Sequence, residues 1–193
     1  MLRVEGITQV FGGVTALRDV SFSVAEGEIK GVIGPNGAGK TTLFNIITGI
    51  YRQTAGDVFL ENKKVTSFQP EKLALRGMVR TFQNVELFGA MTVMENVMVG
   101  LHTKSRCGIL SSCLKLPSHL REERHIREKA IACLDFVGLA EDASLVAGNL
   151  PFGKGRMLEI ARAMALEPRI ILLDEPAAGL NSRETAELGA LIR

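Results

Sequence analysis

The feature that most constrains this chain is the run Gly34, Pro35, Asn36, Gly37, Ala38, Gly39, Lys40, Thr41 and Thr42, which fits the pattern G-x-x-x-x-G-K-[ST]. Residues 28–33, just before it, are rich in β-branched side chains and predict a strand. Residues 40–49, just after it, predict a helix with Leu43, Ile46 and Ile47 on one face and Gly49 as the stop. A glycine loop between a strand and a helix turns successive backbone N–H groups inward at a helix N-terminus, whose dipole favours an anion. The pattern thus predicts a cradle for the phosphates of a nucleoside triphosphate, with ATP the expected one. In that cradle Lys40 would reach the β- and γ-phosphates and the Thr41 hydroxyl would ligate Mg2+. The flanking strand and helix weigh against a merely flexible glycine-rich turn.

A second constellation lies far downstream. Residues 169–173 end in a continuous apolar run, the pattern of a strand buried on both faces of a parallel sheet. Asp174 and Glu175 follow it directly, so both carboxylates emerge at a strand's C-terminal end, where open α/β sheets hold their ligands. Asp174 suits an Mg2+-holding carboxylate, and Glu175 a base that orients an attacking water. The bland alternative, an acidic surface turn, is disfavoured by the glycine loop, because phosphoryl transfer needs such an acid. Gln83 ends a strand-like run at residues 78–82, where a polar side chain could touch both metal-bound water and a moving subdomain; taken alone, it reads as a surface glutamine.

Around these motifs the chain divides by pattern. Residues 2–7, 20–24 and 57–60 predict further strands, the first two separated by Gly12 and Gly13. From Thr92 to about Asn149 the β-pattern fades. Thr92 with Glu95 forms a capping box, and helical spacing recurs at Ile126, Ala130, Leu134 and Val137 before Gly138 stops it. Residues 155–167 predict a helix running into Pro168, and Asn181 with Glu184 opens another. The expected organisation is a core with the glycine loop over residues 1–83, a helical subdomain over 84–150, and a return to the core over 151–193.

Composition excludes several classes. The 193 residues are 46% hydrophobic and 23% charged, as in an ordinary soluble α/β protein. The net charge of +2 comes from 23 basic and 21 acidic residues that are interspersed, so nucleic acid is a poor expectation for a partner. The densest charge run, at residues 121–129, mixes signs and reads as a solvated helix face. Cys107, Cys113 and Cys133 are odd in number and lack Cys-x-x-Cys spacing, which predicts reduced structural thiols in a cytosolic protein rather than a zinc site. No secretory pattern opens the chain, and no run of about 18 apolar residues could span a bilayer. Any membrane role is expected to come through a partner.

Four segments together carry a resemblance: GPNGAGKTT at 34–42, RTFQNVELF at 80–88, LPFGKGRMLEIARAM at 150–164 and LLDEPAAGLN at 172–181. In order and spacing they resemble the ATP-binding subunits of ABC transporters. The second and third look most like subunits that drive import of branched-chain amino acids. The resemblance implies a P-loop α/β fold with a parallel-sheet core, an N-terminal antiparallel β-subdomain and an inserted helical subdomain. It implies Phe11 as the aromatic that stacks on adenine, residues 34–42 as Walker A, and Gln83 as the glutamine of the Q-loop. Residues 150–154 would be the signature, Asp174 and Glu175 the Walker B pair, and residues 178–181 the D-loop. Such domains work as head-to-tail pairs with ATP between one partner's loop and the other's signature. Hydrolysis drives permease subunits, so the chain is expected in the cytoplasm, peripheral at the inner face of the cell membrane. On the same resemblance Val85, Leu87, Phe88 and Met91 are either core or part of a groove for a permease's coupling helix.

The chain departs from the family pattern in places. Pro151, Phe152 and Lys154 replace three positions of the usual Leu-Ser-Gly-Gly-Gln signature. Proline offers neither hydroxyl nor N–H, so a γ-phosphate contact would fall to the Gly153 amide and the helix N-terminus behind it. Lys154 is read either as a replacement charge or as a solvated lysine. The family's switch histidine lies beyond the D-loop, whereas His102, His119 and His125 all precede Asp174, which suggests a truncated form of a longer subunit. The rival expectations are a nucleotide-binding module without turnover, and an ABC ATPase of DNA repair or translation, which would bring long insertions or tandem cassettes.

Overall fold

A computed structural model describes residues 1–81, 86–102 and 117–193, without the side chains of His102 and residues 117–122. Gln83 and Val85 lie outside the described residues, as do Cys107 and Cys113. The chain forms two compact units, Met1–Val79 and Arg80–Arg193.

The first unit is built on a hairpin. Strands β1 (Leu2–Phe11) and β2 (Val14–Val24) pair antiparallel, from Leu2 opposite Val24 to Phe11 opposite Val14. Gly12 and Gly13 join them with φ of 51° and 88°, the double left-handed turn that matches strand twist. Strand β3 (Ala55–Leu60) adds antiparallel to the other edge of β1, and the short β4 (Lys63–Lys64) follows it, giving the order β2-β1-β3-β4. Leu2, Val4 and Ile7 with Val58 and Leu60 are buried. Helix α1 (Lys40–Ile47) buries Leu43, Ile46 and Ile47, the face expected from their spacing, and Gly49 follows at φ 74°. The short α2 (Pro70–Ala74) leads into β5 (Met78–Arg80). The expected antiparallel β-subdomain is present.

The strand expected at residues 28–33 is not. Among the described residues these pair with no strand; Ile29 is 65% and Ile33 95% exposed. Apolar β-branched residues favour a pleated surface only where a neighbouring strand supplies hydrogen bonds and packing. Sequence pattern alone does not provide that neighbour.

The second unit is a helical core beside a short strand. Helix α3 (Val93–His102) begins at the Thr92–Glu95 capping box: Glu95 N–H donates to Thr92 Oγ1 at 3.2 Å, and Thr92 N–H donates back to Glu95 Oε2 at 2.7 Å. These contacts hold the Glu95 carboxyl below its ordinary range, the Thr92 N–H first and its hydroxyl second. Helix α4 (Pro117–Phe136) ends before Gly138, whose φ is 72°. Helix α5 (Phe152–Ala165) starts three residues earlier than its spacing suggests, and strand β6 (Ile170–Leu172) follows. Helix α6 (Ser182–Ile192) carries the full capping box of Asn181 and Glu184. One hydrophobic core joins Val93, Val97 and Leu101 of α3 to Ala130 and Leu134 of α4 and Leu158 and Ala161 of α5, and reaches Leu188 of α6. Residues of 84–150 and 151–193 therefore share a core. Cys133 is a half-buried free thiol that burial pushes up, as suits a structural cysteine.

Candidate functional site

In the first unit the glycine loop has the backbone its sequence demands. Gly37 and Gly39 sit at φ 80° and 84°, a region in which an ordinary side chain is strained, and Gly39 caps α1. Leu43 N–H donates to Gly39 C=O at 2.8 Å, so the N–H groups of Lys40, Thr41 and Thr42 fall in the first turn, where a helix has no acceptors of its own. Gly34, Pro35, Asn36 and Ala38 are exposed, as is Thr41. Lys40 Nζ is folded over the loop and donates to Gly34 C=O at 2.8 Å and to Pro35 C=O at 3.0 Å. A cation held over an exposed loop at a helix start is an arrangement chemically suited to receive an anion.

Phe11 ends β1 and is exposed, its ring edge-to-face with Tyr51 at 5.8 Å and 76°. Sequence reading singled out Phe11 and missed Tyr51, which carries no motif; only its contact with Phe11 marks it.

In the second unit Asp174 follows β6 as expected and is buried. Its Oδ2 accepts from Arg80 Nη2 at 2.7 Å. Arg80 was also missed, because 94 residues separate the pair in sequence. Glu175 is exposed and sits at φ 46°, a left-handed conformation for a residue with a side chain and one that fixed surroundings must impose. A turn follows it, in which Ala178 N–H donates to Glu175 C=O at 3.0 Å.

The altered signature opens α5, with Pro151 at the N-cap and no side-chain cap. Gly153 is buried against the Glu184 side chain so closely that a Cβ there would collide with the carboxylate. The Phe152 ring similarly fills the space beside Gly179 of the following loop. Lys154 is half-exposed, and its Nζ bonds Asp142 Oδ2 at 2.5 Å. Among the described residues no cluster of three or more His, Cys, Asp or Glu could hold a metal, and no helix is long and apolar enough to cross a membrane. Taken by chemistry alone, the candidate ligands are a hydroxyl oxygen of Thr41 in the first unit and a carboxylate oxygen of Asp174 in the second, hard ligands of the kind that suit Mg2+ and not zinc.

The chain is similar to known proteins in sequence and in fold. A family profile described as ABC transporter matches residues 17–178. The branched-chain amino acid transport ATP-binding protein LivG of Salmonella typhimurium is 45% identical over 192 residues, all of this chain and 75% of LivG. BraF of Pseudomonas aeruginosa, with the same description, is 46% identical with the same coverage. The ABC-transporter cassette MJ1267 in its ADP conformation superposes with a TM-score of 0.84 at 37% identity, over all of this chain and 75% of that one. A dimeric cassette, MJ0796, bound to ADP and Pi superposes with a TM-score of 0.80 at 28% identity, covering 100% of this chain and 81% of that one. With its ordered motifs, its antiparallel β-subdomain and its mixed α/β fold, the chain belongs to the ABC transporter family of ATP-binding cassettes.

Proposed function

We propose that this chain is the ATP-binding and ATP-hydrolysing subunit of an importer for branched-chain amino acids. The observation that carries the reading is the glycine loop, with two left-handed glycines, a helix start at Lys40 and the Lys40 ammonium over the loop. The cargo rests on the relatives LivG and BraF, both described as serving branched-chain amino acid transport.

In this reading the N–H groups of the loop and of Lys40, Thr41 and Thr42 bind the phosphates, and Lys40 exchanges its two carbonyl partners for β- and γ-phosphate oxygens. Phe11 stacks on the adenine. The Thr41 hydroxyl, Asp174 and Gln83 are the groups that hold Mg2+, which neutralises charge on the phosphate oxygens when bound. Glu175 orients the attacking water and draws on its proton. Gly153 and the N-terminus of α5 contribute to the site of a partner ABC subunit, the same or a related chain. Permease subunits take up the resulting motion, with this chain peripheral at the inner face of the membrane.

Phosphate release from purified chain, compared with Glu175→Gln, tests the catalytic claim. The variant should keep nucleotide affinity and lose turnover by about 10²- to 10⁴-fold, the usual contribution of a positioned general base. Equal rates would instead favour the module without turnover. Leucine uptake in cells lacking the chain should be restored by the wild type and not by Glu175→Gln.

A further inference from the structure

Arg80 is a buried cation for which the proposed function has no task. Its Nη2 lies 2.7 Å from Asp174 Oδ2, and the two side chains are 7% and 9% exposed. Backbone sets up the meeting: Thr81 N–H donates to Leu172 C=O at 3.0 Å, which aligns the chain at Arg80 with the end of β6, two residues before Asp174. The pair is thus fixed by strand register and shielded from water, unlike the exposed pairs of this chain such as Arg183 with Glu187, which contribute little.

A carboxylate has two oxygens, and a donor that fixes one restricts where the other points. Outer partners of metal-ligating carboxylates and imidazoles orient them in this way, and their loss typically weakens metal binding about 10- to 100-fold. We propose that Arg80 is a positioning residue for the divalent cation: by holding Oδ2 it leaves Oδ1 of Asp174 as the oxygen that would take the Mg2+ accompanying the nucleotide. The guanidinium also offsets the cost of keeping the Asp174 charge out of water. The inference rests on the reading of Asp174 as the metal-holding acid.

The test is Mn2+ affinity of the full chain with saturating ADP, read by the metal's magnetic resonance signal, beside nucleotide affinity without metal and the thermal midpoint. Wild type is compared with Arg80→Met, Arg80→Lys and Asp174→Asn. Asp174→Asn should weaken Mn2+; unchanged affinity there would remove the reading of Asp174 and the inference with it. Arg80→Met should weaken Mn2+ about 10- to 100-fold, Arg80→Lys less, both with metal-free nucleotide affinity intact. Wild-type Mn2+ affinity in Arg80→Met, with Asp174→Asn weakened, would make Arg80 a purely structural partner and overturn the proposal. Tighter Mn2+ binding in Arg80→Met would overturn it too, since the guanidinium would then compete with the cation. Should Arg80→Met fail to fold, Arg80→Lys decides alone: unchanged Mn2+ affinity sinks the proposal.

Discussion

The glycine loop of the first unit and the carboxylate turn of the second contribute to the same proposed chemistry but are built in opposite ways. The loop is exposed main chain, shaped by glycines at φ 80° and 84°, with its lysine bonded to the loop's own carbonyls. Most of what shapes it lies within nine residues, the exception being the close approach of Ala16 and Leu17 to Gly39. The turn depends on a buried acid tied to an arginine 94 residues away, next to a glutamate in a strained conformation. A site written in local backbone survives changes elsewhere in the chain; a site written in a distant ion pair is as sound as the packing around it.

That contrast can be broken experimentally, and the largest effect is expected at Lys40. Lys40→Ala should weaken ATP binding about ten- to a hundredfold, the worth of hydrogen bonds to a charged group, while leaving the thermal midpoint close to wild type. A large drop in the midpoint would show that the loop is not locally built. Next come the glycines. Gly39→Ala faces both the left-handed φ and a Cβ 2.7 Å from the Ala16 carbonyl oxygen, whereas at Gly37 nothing lies within 4 Å. Gly37→Ala should therefore cost about 1–2 kcal/mol in urea unfolding and Gly39→Ala more. Equal costs would mean that the loop relaxes away from Ala16.

In the second unit Asn181→Ala removes the acceptor for Glu184 N–H, at 3.0 Å, and should cost about 1 kcal/mol in the same measurement. The smallest effect is one of pH. The Glu95 carboxyl is held below its ordinary value of 4.5, so its capping contribution is full above about that pH and fades as pH falls through the lowered value. Melting midpoints of wild type and Glu95→Gln should differ at neutral pH and converge as pH falls through that lowered value. A gap that stays constant would mean that charge plays no part in this cap.

Much of the fold was legible because it depends on neighbours in sequence. The helix after the loop, the caps at Thr92 and Asn181 and the stop at Gly138 follow from side chains within a turn or two of where they act. So does the candidate site insofar as it is a list: the loop, Asp174 and Glu175 could be read off, together with Phe11 and Gly153 by resemblance. The partners of those residues could not. Nothing around Lys154 signals its bond to Asp142, twelve positions earlier. Tyr51 carries no signal of its own, and neither does Arg80 within RTFQ.

By itself, then, the sequence determined which backbone conformations are permitted and which short-range bonds can close: left-handed glycines, capping boxes and the apolar stripes of α1, α4 and α5. Tertiary structure alone decided that Phe11 meets the edge of Tyr51 and that Arg80 holds Asp174. The physical reason is range. Torsional preferences and capping bonds act over a few residues, whereas ladders, ring contacts and buried ion pairs exist only where the folded path brings distant segments together.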